Sequence, residues 1–304
     1  MAYRLKLQVF LRGGLGNQLF QYSTGLYLAE NFEKELVLRT DLLPISKDEV
    51  GGISRWPEQM SGFRHSGTLR NKANQPENST NLFSKSMQAM RMFGDLSPSL
   101  TKRFNWLTSE TKYRLPDGLE RITLINSYSS FKDFALAKRS KLREQLSSLV
   151  DPSAMFLSNL AELKERNPII VHVRRGDYIR LESIYGNLNS QYYSDAVEIL
   201  REQGSTHRTW IFTDSPDELP KHLVQCLAAE RVIGPKEIPS PLETLVLMST
   251  GSAIVSANST YSWWAGLISQ DGNPLVAPRI LSARTNNFSN EDERVPGWKV
   301  LNVA

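Results

Sequence analysis

A chain of 304 residues, 40% of them hydrophobic, can bury a core in each of about two domains of ~150 residues. Its 36 Lys and Arg against 32 Asp and Glu leave a formal charge of +4. Those charges are interspersed and form no basic block, which argues against a dedicated nucleic-acid binder. The single cysteine, Cys226, excludes an intramolecular disulfide, fits a reducing compartment and reads as a small core residue. The opening MAYRLKLQVFLRGG lacks a signal peptide's apolar core, and no run of ~18 apolar residues occurs. The expectation is a cytoplasmic protein, able to work at the inner face of the membrane.

Leu5 to Leu11 alternates apolar and polar residues as a strand does. Gly13 and Gly14 break it, and Leu19, Tyr22, Leu26 and Ala29 then share one helical face. This predicts strand, glycine turn, helix. ELVL, Glu35 to Leu38, reads as a second strand. Pro44 to Pro116 is polar and irregular, with Trp56 and Trp106 but no sustained period, and yields no assignment. RITLIN returns to strand character, and Leu136 to Val150 predicts a helix with Leu142, Leu146 and Leu149 inward. Asp151-Pro152 interrupts it, and a further helix is expected to run to Arg166.

From Asn167 onward strands and helices alternate clearly. PIIVHV, RTWIFT, RVIG, SAIVSA and PLVAP read as strands, separated by helices over Ser190 to Gln203, Pro216 to Ala229, Leu242 to Ser249 and Thr260 to Ser269. Short apolar strands alternating with helices imply an α/β fold with a parallel sheet covered on both faces. A domain boundary is expected between Asp151 and Asn167, dividing the chain into 1–155 and 156–304, although no Gly/Ser linker marks it.

In an open α/β sheet, ligands bind at the carboxyl ends of the strands. After PIIVHV come Arg174, Arg175 and Asp177; after RTWIFT comes Asp214; after SAIVSA come Asn258, Ser259, Thr260 and Ser262. Two cations, two carboxylates and a hydroxyl-rich helix start are thereby predicted on one sheet edge, which suits a nucleotide diphosphate. Arginine's planar fork matches a pyrophosphate, and a helix N-terminus attracts phosphate through its free N–H groups and dipole. Each residue also has a plainer reading. Asp177 could form a structural pair with Arg174, Asn258 and Ser259 could merely cap a helix, and His172 could be a satisfied core histidine, though its alternation with Arg174 puts both on one face.

Near the N-terminus, Gly14-Leu15-Gly16-Asn17-Gln18-Leu19 has Leu where a dinucleotide fingerprint needs its third Gly, so a Rossmann cofactor is not expected. What remains is a glycine turn that a ligand can approach closely, or simply a tight turn, with the Asn17 and Gln18 amides beside it. The four histidines are scattered, no Cys cluster or HExxH exists, and no GxSxG or Walker A sequence appears. Asp-x-Asp is absent too, which argues against a nucleotide-sugar held through Mg²⁺ or Mn²⁺ and leaves the diphosphate charge to Arg174 and Arg175.

Five stretches resemble, in order, the motifs of the α-1,2-fucosyltransferases of glycosyltransferase family 11, many of them bacterial. They are GGLGNQLFQY (Gly13 to Tyr22), VHVRRGDY (Val171 to Tyr178), FTDS (Phe212 to Ser215), LVLMS (Leu245 to Ser249) and ANSTYSWWAG (Ala257 to Gly266). The resemblance implies a GT-B-like fold, two Rossmann-like domains facing each other across a cleft. The N-terminal domain would lie on the acceptor side and the C-terminal domain would bind GDP-fucose, with no metal and with inversion at the anomeric carbon. Carried over by position, Arg174 would hold the diphosphate and stabilise departing GDP, with His172, Arg175 and Asp177 shaping the pocket. Asp214 would accept from the guanine edge, and Ser259, Thr260 and Ser262, beside Asn258, would bind phosphate oxygens. Gly14, Asn17 and Gln18 would approach from the facing domain.

Three departures bear on the acceptor more than on the donor. Ser127 to Phe131 reads SYSSF where many relatives have an aromatic-Gln stretch, Glu243-Thr244 stands where an acidic pair is common, and a histidine usual before ANST is missing. The expected activity is transfer of L-fucose from GDP-fucose to a galactoside hydroxyl of an oligosaccharide or lipid-linked glycan, with Asp177 a candidate base. The rivals are a transferase for another nucleotide-sugar, a nucleotide-binding module without catalysis, and a nucleic-acid binder stacking bases on Trp263 and Trp264. That last rival needs exposed rings, whereas both are expected in the core.

Overall fold

A computed structural model describes residues 6–40, 43–44, 46, 48–50, 53–55, 57–70, 106–107, 122–124, 132–180, 182–205, 208–279 and 295–302. The chain divides into two compact units. One comprises Met1–Asp48, Arg55–Ser61 and His65–Lys138, and the other Glu49–Ser54, Gly62–Arg64 and Arg139–Ala304.

The first unit opens with β1 (Lys6–Phe10), α1 (Leu15–Asn31) and β2 (Glu35–Arg39), the strand, glycine turn and helix read from the sequence. β3 (Asp48–Val50) and β4 (Ile53–Arg55) form a small two-stranded sheet of their own, most of which, Glu49–Ser54, belongs to the second unit. β5 (Thr68–Arg70), β6 (Trp106–Leu107) and β7 (Ile122–Leu124) complete a five-stranded sheet in the order β5-β2-β1-β7-β6, with every neighbouring pair parallel. β3 to β6 lie in the stretch whose sequence shows no period. α2 (Lys132–Ala137) holds the far end of α1, where Phe134 stacks on Tyr27 at 4.5 Å and Lys138 pairs with Glu30 at 2.5 Å.

The second unit begins with α3 (Arg139–Ser147) and α4 (Ala154–Arg166), then runs β8 (Ile169–Val173), α5 (Gly176–Arg180), α6 (Glu182–Tyr185), α7 (Ser190–Glu202) and β9 (Thr209–Thr213). It continues with α8 (Lys221–Cys226), β10 (Ala229–Ile233), α9 (Pro241–Met248), β11 (Ala253–Val255), α10 (Thr260–Ile268), β12 (Leu275–Pro278) and β13 (Lys299–Leu301). The helices start where capping chemistry places them. Ser153, Asn189, Ser240 and Ser259 each accept a backbone N–H from the first turn that follows.

The six strands lie in the order β10-β9-β8-β11-β12-β13, all parallel, which is the 3-2-1-4-5-6 order of doubly wound folds. β8 and β9 are buried along their whole length, as strands covered on both faces must be. Ile169, Val171 and Val173 pack with Tyr192, Tyr193, Ala196, Val197 and Leu200 of α7, so Ile170 and His172 point to the opposite face. The architecture is α/β and GT-B-like, built from two Rossmann-like units.

Three expectations need correction. The helix expected over Leu136 to Val150 is two helices, α2 and α3, and Leu142 and Leu146 are buried whereas Leu149 lies past the helix end, only partly covered. The helix expected from Pro216 breaks after a 3₁₀ turn at Pro216–Glu218, because Pro220 holds Leu219 in an extended conformation. Cys226 is exposed rather than core: it ends α8 while Leu223 and Leu227 take the inward positions. Trp263 and Trp264 are buried as expected, packed edge to face at 5.4 Å.

Candidate functional site

A doubly wound sheet opens a crevice at its switch point, where strands on either side lead to helices on opposite faces. Here that point lies between β8 and β11, and the residues following both strands carry the chemistry. Arg174 leaves the end of β8 as a charge only 17% exposed, which must be paired or solvated. It is paired twice. Nη2 donates to Asp177 Oδ1 at 2.7 Å, and Nη1 lies 2.8 Å from Asp214 Oδ2, at the end of the neighbouring β9. Its guanidinium also sits 5.4 Å from the Tyr178 ring centroid. Burial works against the charge, but Asp214, Asp177 and Tyr178 outweigh it and hold its pKa above the ordinary arginine value.

Asp214 does a second job, because Oδ1 accepts the Arg175 backbone N–H at 2.9 Å. This close approach explains Gly176, where a Cβ would stand 2.5 Å from Asp214 Oδ2. Both oxygens that a guanine edge would use are therefore engaged with the turn after β8, a geometry that suits an anchor for Arg174 better than a nucleobase reader.

His172 is 3% exposed on the face shared with Arg174, its ring 5.6 Å from that of Tyr261, and its Nδ1 finds no hydrogen-bond partner among the described residues. Burial, reinforced by the Arg174 charge, lowers its pKa to about 3, so it is neutral at physiological pH. Arg175 Nε is likewise buried without a partner among the described residues. The unspent His172 nitrogen thus belongs to a ring that feels the Arg174 charge, whereas the Arg175 charge is felt by Tyr193 on the α7 side of the sheet.

The turn after β11 meets this group through Tyr178, whose hydroxyl donates to the Asn258 carbonyl at 3.1 Å. Asn258 donates from Nδ2 to Gly186 O at 3.1 Å. Ser259 caps α10, its Oγ accepting the Tyr261 N–H at 3.2 Å, and Thr260 opens the helix, partly exposed. Ser262 differs from the expectation. It is fully buried and braces the turn from inside, accepting the Ala257 N–H at 3.1 Å, because its position one turn into α10 points it back under the chain. Tyr261 passes behind, its hydroxyl donating to Pro241 O at 2.5 Å; burial raises its pKa, against smaller opposing effects of Thr244 and Arg174.

In the first unit the glycine turn also sits at a helix N-terminus. Gly13 has φ +72°, and a Cβ there would meet the Asn17 amide nitrogen at 2.6 Å, so Asn17 folds over a position only glycine fits. Gly14 is the N-cap of α1. Gln18 is fully buried and its amide is spent on the protein: Nε2 donates to Gly13 O and Pro57 O, both at 2.9 Å, and Oε1 accepts the Gln59 N–H at 3.1 Å. Ser127 to Phe131 lies outside the described residues.

The profile of glycosyl transferase family 11 matches residues 101–302, spanning the whole switch-point cluster. The chain belongs to this family. It is 27% identical over 282 residues to an α-1,2-colitosyltransferase of Escherichia coli, covering 88% of this chain and 89% of that protein. It is 22% identical to the O-antigen biosynthesis glycosyltransferase WbnK of Escherichia coli, covering 91% and 95%. Among solved structures, POFUT1 in complex with GDP-fucose matches 91% of this chain and 98% of its own at TM-score 0.50 and 13% identity. A family 9 glycosyl transferase from Veillonella parvula matches 100% and 89% at TM-score 0.51 and 11% identity. These two establish the shared fold. As a family 11 member the chain is a glycosyltransferase.

Two residues of this family 11 site were not assigned from sequence alone, Tyr178 and Tyr261. Tyr178 lies four residues past Arg174, where one helical turn returns it beside the guanidinium, a spacing that could have flagged it. Glu243, one of the departures, is buried. It joins α9 to α4, accepting the Ser153 N–H at 2.6 Å and the Ser153 hydroxyl at 2.9 Å. Among the described residues no three His, Cys, Asp or Glu side chains gather as a metal ion would require. Nor, among them, is any helix long and apolar enough to cross a membrane.

Proposed function

We propose that this family 11 glycosyltransferase moves L-fucose from GDP-fucose to a galactoside hydroxyl, in α-1,2 linkage and with inversion, during assembly of a surface glycan such as O-antigen. The observation that carries the reading is Arg174, fixed at the switch point by two carboxylates and flanked by the N-terminus of α10. A guanidinium held this way needs no reorganisation when charge grows on a departing diphosphate, the most effective form of transition-state stabilisation. The acceptor oxygen attacks the anomeric carbon, the bond from that carbon to the diphosphate oxygen breaks, and GDP leaves with the electron pair. The acceptor's proton passes to a base, and Asp177, already bonded to Arg174, fits an orienting part better than that one.

In this reading the second unit binds the donor and the first handles the acceptor. Ser259, Thr260 and Asn258 line the phosphate end, and His172 contributes its unspent nitrogen. Gln18 and Ser262 brace their turns rather than touch the donor. Arginine charge stands where other enzymes use a divalent ion, so activity is expected without metal. The acceptor would be a galactose-terminated oligosaccharide, free or on a lipid carrier at the inner membrane face. A second reading keeps the chemistry and replaces fucose by colitose, favoured by the relative named for that sugar.

The test is turnover of purified protein in excess EDTA with GDP-fucose, GDP-colitose, GDP-mannose and UDP-galactose against β-galactoside acceptors, with linkage and anomeric configuration read by NMR. GDP-fucose or GDP-colitose should be preferred, giving an α-1,2 product. Preference for a UDP-sugar, or activity only after adding Mn²⁺ or Mg²⁺, would overturn the reading. Nucleotide binding without transfer to any acceptor would favour a non-catalytic module instead.

A further inference from the structure

α10 is a nine-residue helix, ~13 Å long, whose N-terminus lies at the candidate donor site and whose C-terminus lies at the far side of the same unit. Its flank is apolar and buried: Trp263, Trp264, Leu267 and Ile268 are all within the core. Apolar contacts are non-directional. Their interdigitation resists gross sliding, but unlike hydrogen bonds they do not place individual backbone atoms to within a few tenths of an ångström. The carbonyls that end a helix, in contrast, have fixed positions and need donors.

Those donors come from α3. Arg139 Nε donates to Leu267 O at 2.7 Å and its Nη2 to Ser269 O at 3.3 Å, while Arg143 Nε donates to Ile268 O at 3.1 Å. Three consecutive carbonyls at the end of α10 are thereby taken by two guanidinium groups. Asp271, 75% exposed, holds both forks. Its Oδ1 lies 3.0 Å from Arg139 Nη1 and 2.7 Å from Arg143 Nη2, and its Oδ2 accepts from Arg143 Nη1 at 3.2 Å. Two cations at this end also oppose the negative pole of the helix.

We infer that Arg139 and Arg143 are positioning residues for the donor, fixing the axial register of α10 so that Ser259 and the first N–H groups of the helix stand at the diphosphate. The inference rests on the proposed nucleotide-sugar reading. A short helix packed along its length moves as one body, so a slip at Leu267 to Ser269 reappears at Ser259. Hydrogen bonds to phosphate weaken steeply with distance and angle, so a small slip there is felt. Displacement at a positioning group can cost up to ~10²-fold in rate or affinity.

The experiment compares wild type with Arg143→Ala, Arg143→Lys, Asp271→Asn and the Arg139→Ala/Arg143→Ala double variant. Three quantities are read: Kd for GDP by calorimetry, KM and kcat for the sugar donor, and amide hydrogen exchange over Ser256 to Trp263. The expected result is a GDP Kd and donor KM raised about tenfold in Arg143→Ala, kcat changed far less, and faster exchange at the start of α10. Partial recovery is expected in Arg143→Lys, which keeps the charge but loses the fork. If the double variant fails to fold, Asp271→Asn decides the matter, since it alters only an exposed side chain and should raise Kd two- to threefold. A lowered unfolding midpoint with unchanged Kd, KM and exchange would overturn the inference and leave the arginines a purely structural role. Failure of wild type to bind GDP would sink the functional reading instead, and exchange at Ser256 to Trp263 would still decide whether the arginines register the helix.

Discussion

Burying neutral His172 ties the stability of the second unit to pH in a way that can be calculated. Its pKa falls from about 6.5 unfolded to about 3 folded, because burial and the neighbouring Arg174 charge both disfavour the imidazolium. Between those values the unfolded chain binds a proton that the folded chain refuses, so stability is full above the unfolded pKa and is lost as pH falls toward 3. At pH 5 the window already spans about 1.5 pH units, and at ~1.36 kcal/mol per unit the loss relative to pH 7.5 is about 2 kcal/mol. His65 in the first unit is also shifted down, by burial first, and adds to the total. The perturbation is therefore His172→Gln or His172→Phe, and the quantity is the difference in pH slope from wild type. Urea unfolding followed by tryptophan fluorescence at pH 7.5, 6 and 5 measures it, since Trp210, Trp263, Trp264 and Trp298 all report on the second unit. Parallel slopes for wild type and both variants would refute the argument. So would an activity profile with a His172 limb between pH 5 and 8, where the ring is expected to stay neutral.

Two further outcomes follow from the pairings. Arg174→Lys should keep the fold and lose ~10²-fold or more in kcat/KM, and Asp214→Asn, which frees the Arg174 fork and weakens the hold on the Arg175 N–H, should lose about tenfold, mostly in kcat. Steady-state kinetics on both decides it, and a loss of GDP-over-ADP selectivity in Asp214→Asn with kcat intact would restore a nucleobase role. Glu243→Gln should destabilise the second unit by about 1–3 kcal/mol by weakening the Ser153 bonds that join α9 to α4, read as a lower urea midpoint with donor KM unchanged.

The second half of the fold was legible because buried parallel strands advertise themselves. PIIVHV, RTWIFT and SAIVSA are short apolar runs bounded by polar turns, and each became a strand within a residue or two of its expected ends. The misses have local causes. Lys138 separates two helices packed against different partners, Phe134 of one stacking on Tyr27 and Arg139 of the other reaching the end of α10, and no single helical stripe serves both. β3 to β6 are two or three residues long, too short for a period-2 signal to rise above its surroundings.

Which residues gather at the site followed from strand ends alone, but what each does there depends on pairings between distant parts of the chain. Sequence spacing puts Asp177 near Arg174, since three residues span less than one helical turn. Nothing in the spacing brings Asp214 to the same guanidinium: that contact exists because β9 lies beside β8 in register, Val173 opposite Thr213, so the next residues on both strands emerge together. Gly176 then completes the arrangement by leaving room for the carboxylate against the backbone. Ser262 shows the same limit from the other side. Its hydroxyl reads as a phosphate ligand in a run of Ser and Thr, yet three residues past the cap it is rotated under the turn that Ser259 begins, and its partners are Ala257 and Ser256. A hydroxyl-rich helix start thus contains two kinds of residue, those that meet the ligand and those that hold the turn, and the helical phase measured from the cap separates them.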